Sequence, residues 1–257
     1  MMMEMKAEKI KKFQVELLEW YDHHARILPW RNDPSPYRVW ISEIMLQQTR
    51  VETVKPYFDR FINEVPTIEA LANISEDKLL KLWEGLGYYS RAMNLKKAAN
   101  IIVEKFYGQI PSDIKDLRSL PGIGSYTSGA IGSIAFGIRV PAVDGNVFRV
   151  MTRITNYNGD IASQAVKKEI ENRVKDILPE VRVGDFNQGL IELGAMICLP
   201  KDLLKCSQCP VQPFCEGYRL GTAVELPVKS KQKKRKNEKR TVFVMDYEGS
   251  IALRQRP

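Results

Sequence analysis

The sequence predicts an all-α protein that ends in a short stretch of β-structure, and three observations carry that expectation. Residues 1–228 contain no strand-type alternation; their apolar residues recur at three- and four-residue spacing between capping positions. Residues 241–257 change period: TVFVMDY, a Glu-Gly turn and SIALRQR read as the two strands of a hairpin. All four cysteines fall within eighteen residues, at Cys198, Cys206, Cys209 and Cys215, so one small loop region is tied together by sulfur chemistry. A lone two-stranded hairpin is marginal in water, so the chain is expected to stop inside a second domain.

Length and charge narrow the class. At 257 residues the chain can bury one large core or two modest ones, and 44% apolar with 27% charged residues is ordinary for a soluble globular protein. The start, MMMEMKAEKIKKF, has no uninterrupted apolar core, so neither a secretory signal nor a membrane span is expected, and a cytoplasmic, nucleoid-associated location follows. The net charge of +8 is unevenly spread: residues 229–240 carry eight Lys or Arg against the single Glu238, and residues 1–228 keep only +1. The basicity belongs to a linker, which is weak support for a nucleic-acid surface on the main body.

Residues 5–25 place Ile10, Phe13, Leu17, Trp20 and Tyr21 on one helical face, followed by His23 and His24 with no third ligand at a sensible spacing. The loop RILPWRNDPSP, residues 26–36, mixes arginine with tryptophan, a combination that can stack on a base or simply edge a core. Residues 37–48 form a helix apolar at Val39, Trp40, Ile44, Met45 and Leu46, and Glu43 falls into it. A carboxyl among such neighbours is desolvated and biased towards its protonated form, as a general acid requires; the alternative is a Glu that points outward or pairs with an Arg. Thr49 with Glu52 reads as a capping box starting a helix that Pro56 kinks. Ser75 caps the next helix, which ends at Gly85; GLGYYSRA precedes a long helix to about Tyr107, stopped by Gly108 and Pro111, and Ser112 and Asp113 open a short one.

LPGIGSYTSGA, residues 120–130, then joins two helices. The glycines allow sharp turns, and a helix start with free backbone N–H groups at Gly122, Gly124 and Ser125 suits a phosphate. This is the pattern of a helix-hairpin-helix motif gripping a DNA backbone; the alternative is a Gly-rich connection. The second hairpin helix is expected over residues 125–136 and is rich in Gly, Ala and Ser. PAVDGN puts Asp144 at a helix start, where a carboxylate is held ionised or merely caps. Ser163 and Asp185 are expected to cap the helices that follow. The cysteine pattern C-x7-C-x2-C-x5-C, in a chain without a secretory signal, points to a metal centre, and both zinc and a [4Fe-4S] cluster accept four thiolates.

Over residues 10–228 the chain resembles the endonuclease III superfamily of base-excision glycosylases, and within it the MutY-type adenine DNA glycosylases. The resemblance rests on LPWR at 28–31, SEIMLQQT at 42–49, GLGYYSRA at 85–92, LPGIGSYT at 120–127, VDGNVFRV at 143–150 and ELGAMIC at 192–198. It implies a two-lobed helix-hairpin-helix glycosylase fold: a six-helix module over 29–137, a cluster module from 1–28 and 138–228, a basic linker over 229–240, and the start of a Nudix-like domain at 241–257. It further implies a [4Fe-4S] cluster on the four cysteines and a monovalent cation at the hairpin. The usual first cysteine gap in that family is one residue shorter, so the 198–206 loop is expected to bulge.

The resemblance implies excision of adenine mispaired with 8-oxoguanine or guanine in duplex DNA by a monomer. Glu43 matches the acid that protonates the purine, Asp144 the carboxylate that stabilises the sugar cation, and Tyr126 and Asn146 residues near the sugar. Arg26, Leu28, Trp30, Arg31 and Glu192 match the adenine pocket; Gln48, with Thr49 beside it, and Tyr88 match the side chains inserted into the duplex. The two carboxyls are then expected to have opposite pKa biases. Bifunctional relatives carry a lysine where Tyr126 stands, so strand cleavage is not expected. The competing readings are a glycosylase-lyase for oxidised pyrimidines and a non-catalytic DNA-binding module.

Overall fold

The protein is described here from a computed structural model, which describes residues 7–230, 239, 241 and 243–252. Most of the basic run at 229–240, and residues 253–257 of the expected second strand, lie outside the described residues.

Helix α1, Ala7–His24, turns Phe13, Leu17, Trp20 and Tyr21 inward, as their spacing dictates. A 3₁₀ turn at Pro29–Arg31 leads to α2, Pro36–Leu46, which starts at Ser35 with proline in its first turn and buries eight of its residues. Helix α3, Val51–Glu64, is continuous through Pro56. Helices α4, Ile68–Asn73, and α5, Glu76–Trp83, are capped by the Thr67 and Ser75 hydroxyls. Helix α6, Ser90–Phe106, ends on left-handed Tyr107 and Gly108. Asp113 accepts from Lys115 and Asp116 N–H to open α7, Ile114–Ser119. Helix α8, Ser125–Ala130, follows the hairpin, and α9, Gly145–Ile154, begins at Asp144. Helices α10, Gln164–Asp176, α11, Val183–Met196, and the short α12, Glu216–Arg219, complete the helical set. Strands β1, Asp246–Tyr247, and β2, Ser250–Ile251, pair antiparallel around left-handed Glu248 and Gly249, so the expected hairpin is present but only two residues a side among the described residues.

Four local expectations are corrected. The Thr49 capping box does not form: α3 begins at Val51 behind Arg50, because the Thr49 hydroxyl is engaged by Arg91. The second hairpin helix is α-helical only to Ala130 and widens into a π-helical turn at Ile131–Ala135. Asp185 is inside the first turn of α11 rather than its cap, since left-handed Arg182 holds the cap position and bridges Asp185 to Asp22. Of the two hairpin glycines, only Gly122 is left-handed; Gly124 is extended, and a Cβ there would meet nothing within 4 Å.

The apolar residues gather in two clusters. One runs from Leu28 to Ile131 around fully buried Trp40, Phe58, Phe61 and Trp83. The other joins α1 to residues 143–214, with Phe13 edge-on to both Phe186 and Phe214 at centroid separations of 6.1 and 5.7 Å. Helix α11 packs on α1 and α9, and small residues set that spacing. A Cβ on Gly194 would stand 2.6 Å from Asn146 Cβ and 3.1 Å from its backbone. Gly194→Ala must therefore push α9 from α11, and it should lower stability by about 1–3 kcal/mol in urea unfolding.

Candidate active site

Helix α2 is packed by α3, α6, α8, the π-helical turn and the Pro29–Arg31 turn, so a charged residue on its inner side is largely withdrawn from solvent. Glu43 is 7% exposed, and its Oε2 is buried with no hydrogen-bond partner. Burial pushes this carboxyl up to about 7; the Tyr126 hydroxyl and Arg31 hold it down, and the charge of Asp144 raises it. At neutral pH much of Glu43 therefore carries a proton.

Asp144 reaches the same space from the start of α9. Its Oδ1 accepts from Val147 N–H at 2.8 Å and its Oδ2 from Asn146 Nδ2 at 2.7 Å. Burial nevertheless outweighs these bonds and raises the Asp144 carboxyl above its ordinary value. This corrects the expectation of opposite biases, because the site is dry enough to lift both acids. What separates them is partners: Asp144 has two donors on its oxygens, whereas Glu43 Oε2 has none. Burial first, and the neighbouring carboxyls next, push Tyr126 well above the usual tyrosine range, so it stays protonated.

Glu192, on α11, has a fully buried side chain and collects two guanidinium groups from the loop after α1. Arg26 donates to it twice, at 2.8 and 2.7 Å, and Arg31 once, at 2.8 Å. Burial alone raises its carboxyl, but these arginines overcome that and hold it below the usual range. Arg31 also donates to Gln188 Oε1 at 2.9 Å, one helical turn before Glu192.

A cavity of about 700 Å³ lies between the two apolar clusters and brings most of the expected residues together. Leu28, Trp30, Glu43, Gln48, Thr49 and Tyr126 line it from one side; Asp144, Asn146 and Glu192 line it from the other, with Arg26 and Arg31 between. Tyr88, 60% exposed, lies outside it, as do exposed Gly122, Gly124 and Ser125. Among the described residues, no lysine lines the cavity. Tyr126 therefore stands without an amine near the carboxyls.

The sequence reading missed Gln188, Arg149, Arg153 and Arg91. Gln188 was within reach of it, being spaced four from Glu192 on one helical face. Arg149 joins Asn146 Oδ1 to the carbonyls of Gly194 and Cys198, and Arg153 donates to the carbonyls of Cys198, Leu199 and Leu226. Those partners are remote in sequence, so no local signal existed.

The four cysteines are free and line a second, smaller hollow. Among the described residues no three His, Cys, Asp or Glu side chains converge tightly enough for one metal ion. Arg153 Nη1 donates to Cys198 Sγ at 3.3 Å, and burial raises the Cys206 and Cys215 thiols and pushes Cys209 up to about 12. Thiols this dry become ligands only when a cationic group displaces their protons. The seven-residue first gap closes by Lys205 N–H donating to Ile197 O, which throws a short 3₁₀ turn, Lys201–Leu203, outward behind left-handed Lys201. No helix among the described residues is long and apolar enough to cross a membrane.

Comparison with known proteins places the chain closely. The HhH-GPD superfamily model, a base excision DNA repair protein family, matches residues 41–176. The adenine DNA glycosylase of Mus musculus is 43% identical over 219 residues, covering 82% of this chain and 42% of that protein. The adenine DNA glycosylase of Buchnera aphidicola subsp. Schizaphis graminum is 40% identical over 240 residues, covering 93% of this chain and 69% of that protein. The chain thus spans less than half of the first relative and about two thirds of the second. A thermostable thymine-DNA glycosylase superposes with a TM-score of 0.73 at 28% identity over 83% of this chain and 98% of that one. An endonuclease III trapped on DNA shares the fold, with a TM-score of 0.70 at 22% identity over 84% of this chain and 99% of that one.

Two outcomes follow from the buried charges. The Glu43 carboxyl is raised on folding from 4.5 to about 7, so the stability it leaves intact below pH 4.5 is lost as pH climbs through 7, by about 3 kcal/mol. Glu43→Gln should therefore match the parent near pH 4 and exceed it by about that amount at pH 8, in urea unfolding at both pH values. Glu192→Gln strands two guanidinium groups, and unfolding free energy should fall by about 2–3 kcal/mol, under the usual range for a broken buried pair because Arg26 keeps 32% of its side chain exposed.

Proposed function

The chain belongs to the HhH-GPD superfamily of base excision DNA repair proteins, among the adenine DNA glycosylases, and on that premise we propose that it hydrolyses the N-glycosidic bond of adenine mispaired with 8-oxoguanine or guanine in duplex DNA. The observation that carries the chemistry is one cavity flanked by a carboxyl near pKa 7 with one oxygen unpartnered and a carboxyl held by two donors.

An adenine inside a stacked duplex cannot reach Glu43, so it must be flipped out, at a cost of about a few kcal/mol. Glu43 gives its proton to the purine ring, and the C–N bond breaks with its electron pair leaving on a neutral base. The sugar is left as an oxocarbenium ion, which the Asp144 carboxylate stabilises; water adds to it and its proton returns to Glu43. Asn146 holds Asp144 in place, and Arg26, Arg31 and Glu192 give the pocket a fixed polar wall. An abasic site is the product. Cleaving the strand as well would need an amine to form a Schiff base, and the cavity offers none.

Gln48, at the cavity, and Tyr88, outside it, are the side chains proposed to enter the base stack, and the hairpin is the proposed backbone grip. Open space at the Gly124 Cβ position lets a phosphate approach the chain there. The two apolar clusters are proposed as the two lobes of the glycosylase fold. Cys198, Cys206, Cys209 and Cys215 would hold a [4Fe-4S] cluster, which when bound orders the cysteine loop.

Single-turnover assays on A:8-oxoguanine and A:G duplexes test the proposal. Adenine release should yield strand breaks only after alkali, and Glu43→Gln should lower the rate by about 10²–10⁴-fold while duplex binding persists. The rate should fall above pH 7 as Glu43 ionises, and on the acid side at a pH above that of an ordinary aspartate, as Asp144 takes up a proton. Unchanged excision by Glu43→Gln refutes the assignment.

A further inference from the structure

Arg91 is 8% exposed, and no carboxylate pairs with it among the described residues. Its charge is met by main-chain oxygens instead. Nη1 donates to the carbonyls of Ile44, Met45 and Gln47 at 2.7, 2.9 and 2.8 Å. Nη2 donates to the carbonyls of Leu86 and Gly87, both at 3.1 Å, and to Thr49 Oγ1 at 3.3 Å. The first set is the open C-terminal end of α2, where unpaired carbonyls and the negative end of the helix dipole favour a cation. The second set belongs to the loop before α6. One planar side chain thus clasps two segments that are 40 residues apart in sequence.

Each clasped segment carries one exposed residue in a strained backbone state. Gln48 sits between Gln47 and Thr49, both of which bond Arg91, at φ 58°. Tyr88 directly follows Gly87 at φ 47°, with its ring 5.7 Å from the Arg91 guanidinium carbon. A left-handed conformation at an aromatic residue persists only where its surroundings impose it. Within the duplex-entering role proposed above for Gln48 and Tyr88, we infer that Arg91 is the positioning residue that presents both side chains to the base stack, by fixing the backbone on either side of them. Lysine cannot replace it, since its three donors at a single point reach one set of carbonyls and not both.

The test reads base unstacking rather than stability. The probe is a duplex with 2-aminopurine opposite guanine, bound by full-chain protein carrying Glu43→Gln so that no excision intervenes. Arg91→Met should lower the unstacking rate at least tenfold, and Arg91→Lys should fall between it and the parent. In a background that also carries Gln48→Ala and Tyr88→Ala, Arg91→Met or Arg91→Lys should change the remaining rate by less than twofold, because nothing is left to present. Normal unstacking by the Arg91 variants overturns the inference. An equal loss in the background lacking both side chains also overturns it, by showing that Arg91 acts through the fold. If Arg91→Met does not fold, Arg91→Lys in both backgrounds gives the same comparison. Failure of the parent chain to release adenine from A:G would sink the proposed function instead, and is scored separately.

Discussion

A carboxyl withdrawn from solvent, with one of its two oxygens left without a hydrogen bond, is the constraint around which the rest is arranged. Glu43 reaches that state because α2 is enclosed by five neighbouring elements and the cavity beyond it is walled by apolar Leu28 and Trp30. Ionising it there is unfavourable, so the proton stays until about pH 7. The Tyr126 hydroxyl relieves this only in part. The guanidinium groups of Arg26 and Arg31 are consumed by Glu192 and Gln188, which leaves Arg31 only a minor influence on Glu43. Had either arginine faced Glu43 directly, the carboxyl would be an ordinary carboxylate and a poor acid.

Much of this was legible in the sequence, and the failures have identifiable causes. Helix existence followed from 3.6-residue spacing and from capping at Ser75 and Asp113, since those signals are local. The burial of Glu43 was readable for the same reason: its neighbours along the chain are apolar. The state of Asp144 was misread because a helix start argues for an anion, whereas its environment is set by residues about 100 positions upstream that close the cavity. Thr49 was misread as a cap because its hydroxyl is claimed by Arg91 across the fold. Asp185 failed similarly, losing the cap position to an arginine that pairs with α1. In each case a long-range partner outbid a local one.

Buried or half-buried arginine recurs where two remote segments must be held at fixed separation, and the reason is geometric. A guanidinium offers five donors in one plane, so it can satisfy carbonyls from two loops at once. Arg91 does this between the end of α2 and the 85–89 loop, Arg149 between α9 and the end of α11, and Arg153 between α9 and the 226 carbonyl. The carbonyls at a helix end or in a loop need donors in any case, since main-chain polar groups withdrawn from water must be paired. Using arginine for the purpose turns an obligatory satisfaction of main-chain polarity into a spacer of defined length.

This argument extends to the relation between the cavity and the cysteine loop. Arg149 gives one nitrogen to Asn146 Oδ1 and Gly194 O and another to Cys198 O, while Asn146 gives its amide to Asp144. Arg153, one turn further along α9, gives its Nη1 to Cys198 O and Cys198 Sγ. Gly217 closes the same interface, where a Cβ would lie 2.6 Å from the Arg153 carbonyl. Helix α9 is therefore seated on the cysteine loop by its second and third turns and presents Asp144 from its first. The orientation of that carboxyl is inherited from the loop, and the close glycine contacts at both 194 and 217 leave α9 no room to settle elsewhere.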